Sequence, residues 1–237
     1  MKKLMFLFYM GLLFLMSVIK PVSAALIQPI GGILEATAYA SVDFNYDGEK
    51  IIKTIDFGAE YGTRTISSST SAGPDEWGES SRASASVSTN VSTDRIVISS
   101  AGGVSAAHVG PGVYCCANAF TEVNLEFHIM SSSAISLDFE NFSDFESASA
   151  RLDSASGTIW ASTLLGYGDG PIHEGLFLSS GNYNIIFSSS SWPGEYGGVF
   201  HQDLFSITTV PIPTSLWLFC SSLTVMMGFS RRKQRPC

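Results

Sequence analysis

Between residues 35 and 46 the chain alternates. Ala36, Ala38, Ala40, Val42, Phe44 and Tyr46 are separated by Thr37, Tyr39, Ser41, Asp43 and Asn45. A period of two is the mark of a strand with one face buried. Asp47-Gly48 then predicts a two-residue turn, with a returning strand over 50–57. Further alternating or apolar segments fall at 83–91, 95–99, 119–130, 134–139, 157–162, 175–178, 183–188 and 204–209. Short strands joined by Gly- and Ser-rich connections predict an all-β chain, a single antiparallel β-sandwich that is jelly-roll-like. The run Leu-Phe-Leu-Ser-Ser-Gly-Asn-Tyr-Asn-Ile-Ile over 176–186 predicts a hairpin. Pro111 and Gly112 mark a loop, and the Ser-rich stretch 67–81 reads as a second, exposed loop.

The pattern changes at both ends. Lys2 and Lys3 precede an apolar run over 4–19, Pro21 breaks it, and Val22-Ser23-Ala24 supplies small residues. This predicts a secretory signal peptide over 1–24, cleaved between Ala24 and Ala25. At the other end Val210-Pro211-Ile212-Pro213 leads into an apolar run over 214–229, followed by Arg231, Arg232, Lys233 and Arg235. A helix over 214–229 spans about 24 Å at ~1.5 Å per residue, short for a bilayer core of ~30 Å unless its flanks contribute. The basic tip would stop translocation and stay in the cytoplasm, and Trp217 suits the opposite interface.

Motif, aromatic-bearing apolar helix and basic tip, in that order over 210–235, resemble the PEP-CTERM sorting signal in its VPLP-type variant, with Ile212 where that variant often has Leu. The resemblance implies Sec export in a Gram-negative bacterium and a transient anchor in the inner membrane. It also implies an exosortase-type membrane protease as partner, cutting near 210–213, and delivery to the cell surface or extracellular matrix. It defines neither fold nor activity for the cargo, residues 25–209.

Charge sharpens the picture of that cargo. All 21 Asp and Glu lie in it, against six basic residues, Lys50, Lys53, Arg64, Arg82, Arg95 and Arg151, a formal charge of −15. Such a field argues against nucleic acid or anionic lipid as partners. Cys220 and Cys237 belong to the sorting segment, which leaves Cys115 and Cys116; adjacent cysteines form either a strained vicinal disulfide or two reduced thiols.

Candidate chemistry is sparse. Asp43, Asn45 and Asp47 before Gly48 match the first half of a calcium loop, but position twelve is Thr54 where a bidentate Glu is needed, and an Asp-Gly hairpin turn explains the same residues. No metal or other cofactor is therefore expected. Trp77, Trp192 and Tyr196 sit among Gly, Pro and acidic residues, as sugar-stacking platforms on loops would; capping the open ends of a sandwich core is the alternative. The four histidines form no zinc motif, and no G-x-S-x-G elbow occurs. His201, Asp203 and a distant Ser compose a triad only in the way any Ser-rich chain can. The sequence thus predicts a non-enzymatic surface or matrix protein associated with biofilm or exopolysaccharide. A carbohydrate-binding module of the same compartment, with extracellular polysaccharide as partner, is the alternative.

Overall fold

The computed structural model describes residues 27–41, 48–73, 80–107, 116–142, 146–165, 169–191 and 197–210. The expected signal peptide with Ala24 and Ala25, and the sorting segment beyond Val210, lie outside them. So do the loop candidates Asp43, Asn45, Asp47, Trp77, Trp192 and Tyr196.

One compact unit spans Ala25–Val210. Its described part is twelve strands: β1 (Ile27–Ser41), β2 (Glu49–Phe57), β3 (Gly62–Ala72), β4 (Ser80–Val91), β5 (Arg95–Ala107), β6 (Cys116–Ile129), β7 (Ser133–Asn141), β8 (Glu146–Ser154), β9 (Gly157–Leu165), β10 (Ile172–Leu178), β11 (Gly181–Ser191) and β12 (Gly197–Val210). They form two six-stranded sheets, ordered β2-β1-β6-β11-β8-β9 and β10-β7-β12-β5-β4-β3. Every pairing is antiparallel. The sheets pack face to face over one hydrophobic core, so the chain is an all-β sandwich.

Alternation explains which face is buried. Along β6 the odd positions from Ala117 to Ile129 turn inward, and along β11 so do Tyr183, Ile185 and Phe187. The aromatic centre is Phe139, whose ring lies edge-on to Trp160, Phe187 and Phe205 at centroid distances of 6.3, 6.4 and 6.1 Å.

Three expectations from the sequence fail. The stretch 67–81 is not a loop throughout: 67–72 completes β3, Ser80 opens β4, and Ser68, Thr70 and Ser81 are buried. Serine on both faces of a strand hides the period. The segment 176–186 is not a hairpin: β10 ends in one sheet and β11 begins in the other, so the two-residue connection arches over the core. In β1 and β2 the last pair is Ala40 with Glu49, so Asp47-Gly48 is not a two-residue turn between adjacent partners.

The sandwich has two unlike poles. At one, connections of two to four residues join β2 to β3, β4 to β5, β6 to β7, β8 to β9 and β10 to β11. At the other, connections of four to eight residues follow β1, β3, β5, β7, β9 and β11. Both ends of the unit are tied at the short-turn pole by the β4–β5 turn. Ile27 N–H donates to the Thr93 carbonyl (3.0 Å), and Thr209 N–H to that of Asp94 (2.8 Å).

Candidate functional site

The strand ends that carry the candidate segments lie at the long-connection pole. Trp77 is tethered between Gly73 and Ser80, Trp192 follows Ser191, and Tyr196 precedes Gly197; these anchors sit at that pole by strand direction and register. The segment holding Asp43, Asn45 and Asp47 leaves from Ser41 at the same pole, which the pairing of Ser41 with Cys116 establishes. Cys116 is a free, half-buried thiol, and Cys115 lies outside the described residues. Val210 stands apart from all of these, half-exposed on the last rung of β12 opposite Ala134, at the short-turn pole.

A cleft of about 700 Å³ opens beside the long connections, lined by residues that include Glu49, Arg82, Ser84, Ser105 and Phe200. That volume is within the range of small-ligand sites, about 300–1,000 Å³. Glu49 accepts a hydrogen bond from Thr70 Oγ1 at 2.7 Å, which ties β2 of one sheet to β3 of the other.

Beneath this pole the core itself turns polar. His201 and Asp203 point inward from β12 and are fully buried. Ser100 Oγ lies 3.3 Å from His201 Nε2 and 2.8 Å from Thr121 Oγ1, and Ser189 Oγ donates to Asp203 at 2.5 Å. Ser100 and Asp203 belong to one sheet, Thr121 and Ser189 to the other, so these hydroxyls stitch the sheets together. Ser81 Oγ donates to the Ser41 carbonyl at 2.9 Å and adds a further stitch. Buried polar groups persist only where they find such partners.

The residues around the stitches are small: Ala36, Ala119, Ala148, Ala85 and Gly102. Small side chains let the two sheets approach, and approach is what allows hydroxyls on short stems to meet. Gly102 is required outright. A Cβ there would stand 2.2 Å from His201 Cε1 and 2.7 Å from the Ser84 carbonyl oxygen, so the imidazole occupies the place of the missing side chain. The Gly102-Gly103 doublet within a strand pattern was the available sequence signal for such a close approach.

Serine, histidine and aspartate are thus brought together, but with Ser100 at 1% exposure and His201 and Asp203 at 0% they have no path to a substrate. The arrangement bridges two sheets. Asp138 and Glu140, two residues apart on β7, lie on the outside of the second sheet. There Asp138 meets His173 Nδ1 at 2.7 Å and receives a long contact from Ser206 Oγ at 3.4 Å. Among the described residues no group of three or more His, Cys, Asp or Glu could hold a metal ion, and no helix is long and apolar enough to cross a membrane. Compared with known proteins, the chain matches no family model and no curated sequence.

Proposed function

We propose that this chain is an exported, non-enzymatic surface or extracellular-matrix protein, built as a jelly roll and processed at a C-terminal sorting signal. Strands β5 to β12 cross between the sheets in jelly-roll order, β5-β12-β7-β10 in one and β6-β11-β8-β9 in the other; β1–β2 and β3–β4 extend the two edges. The observation that carries the reading is polarity. Val210, first residue of the Val210-Pro211-Ile212-Pro213 motif, leaves at the short-turn pole beside Ile27, opposite the long connections. An exosortase-type protease is the partner, and the basic tip Arg231, Arg232, Lys233 and Arg235 holds the precursor in the inner membrane until cleavage.

Intact-mass spectrometry of the exported protein tests this. The expected mass lacks 1–24 and the segment after the motif. A chain beginning at Ala25 that still carries Cys237 would make it a plain tail-anchored protein and end the sorting proposal.

A second reading, carbohydrate binding at the long-connection pole, is favoured by a cleft lined by the strand ends to which the segments holding Trp77, Trp192 and Tyr196 are joined. Glycan-array binding by the exported protein, weakened in Trp192→Ala, is the expected result; an array with no bound glycan removes this reading.

A further inference from the structure

The outer face of β3, β4, β5 and β12 is rich in hydroxyls. Its outward positions carry Thr63, Thr65, Ser67, Ser69 and Ser71 on β3, then Ser84, Ser86 and Ser88 on β4, with Ser99 and Ser105 on β5. None of the outward positions of these four strands is Asp or Glu. The other sheet shows the contrast: Glu35 and Glu122 sit directly opposite one another on its outside, with Glu126 nearby. Among the described residues, the carboxylates leave the outward positions of these four strands free.

Of the outward side chains of these strands that line the cleft, two carry no hydroxyl. Arg82 projects from near the start of β4. Phe200, 69% exposed, lies across from Gly103, and its Cδ2 is 3.6 Å from where a glycine Cβ would be. One side of the ring therefore covers Gly103 while the rest meets solvent. Shielding of a strand glycine explains the inner contact, but it leaves most of the ring exposed to water. Glu49 also lines the cleft, and its carboxylate is engaged by Thr70.

We infer that this face, centred on Phe200, Arg82 and the hydroxyls of Ser84 and Ser105, binds a neutral polysaccharide chain. The inference rests on the carbohydrate-binding reading and moves its centre from the loops to the sheet. A sugar ring offers an apolar C–H face for an aromatic platform and hydroxyls for hydroxyl partners, and an extended chain suits a long sheet face. A face of hydroxyls loses far less on desolvation than one of carboxylates. The −15 cargo repels an acidic chain at long range, which selects a neutral one. Arg82 then donates to sugar hydroxyls.

Affinity electrophoresis of the exported protein through gels containing glucomannan, xyloglucan or dextran, with alginate as the acidic arm, tests the assignment. Retardation in at least one neutral gel is expected, weakened about tenfold in Phe200→Ala and also reduced in Ser105→Glu. Both positions are exposed, and an unchanged melting temperature shows that each variant is folded. Binding lost in Trp77→Ala or Trp192→Ala, but untouched in Phe200→Ala and Ser105→Glu, overturns the sheet-face site while the carbohydrate reading survives. Retardation in alginate alone overturns the neutral class. Retardation in no gel ends both the inference and the reading beneath it.

Discussion

The two halves of this core solve the same problem with opposite materials. Toward the short-turn pole, Phe127, Phe139, Phe187, Phe205 and Trp160 fill the space between the sheets. Toward the long-connection pole the sheets are lined by alanine, glycine and hydroxyl side chains around His201 and Asp203. Apolar packing is nondirectional and scales with buried area, so the aromatic half carries the greater share of stability. Hydrogen bonds contribute little net but are costly to leave unmade, so the polar half sets how the sheets register with one another. The half that needs defined geometry is the half beneath the cleft and the long connections.

That division can be broken in order of effect. Phe139→Ala removes a ring that meets three others and should cost about 3–5 kcal/mol, read as a lower denaturation midpoint. A loss under about 1 kcal/mol would mean that the aromatic half does not dominate. Gly102→Ala should cost about 1–3 kcal/mol by overpacking against His201. Combined with His201→Ala it should cost less than the sum of the two, because the imagined clash partner has gone; strict additivity would place the imidazole elsewhere. For Ser100→Ala with Thr121→Val, a double-mutant cycle should return a coupling of about 0.5–1.5 kcal/mol, the worth of one sheet-to-sheet hydrogen bond. No coupling would dissolve the stitch. Arg64→Ala should change stability by no more than about 0.5 kcal/mol, since its 2.6 Å pair with Glu60 is largely solvated.

Much of the fold was legible, and the failures have physical causes. Strands with large inward residues, such as Val123, Leu125 and Phe127 in β6, announce themselves through contrast with polar neighbours. The strands β3 and β8 do not. Inward Ser68 and Thr70 match outward Ser67 and Ser69, and inward Ala148 and Ala150 differ little from the serines beside them. The arch from β10 to β11 looked like a hairpin because Ser179-Ser180 reads alike whether the next strand lies beside the last or across the core from it. At the candidate site the loop aromatics were visible as residue types, but their common pole was not. Phe200 and Arg82 gave no local signal, since their neighbours come from β4 and β5, about a hundred residues away for Phe200.

What the sequence determined by itself was everything with a short period or a fixed local order. That comprises the β class, read from alternation every second residue, the charge of the cargo, and the grammar of the two ends that predicts export and sorting. What only the tertiary structure decided was partnership: which strands share a sheet, that Ser100 meets His201 across 101 positions, and that the outward positions of β3, β4, β5 and β12, none of them acidic, lie side by side. The reason is that strand pairing is a contact between distant segments. A residue's own neighbours say whether it turns in or out, and the fold alone says what it meets there.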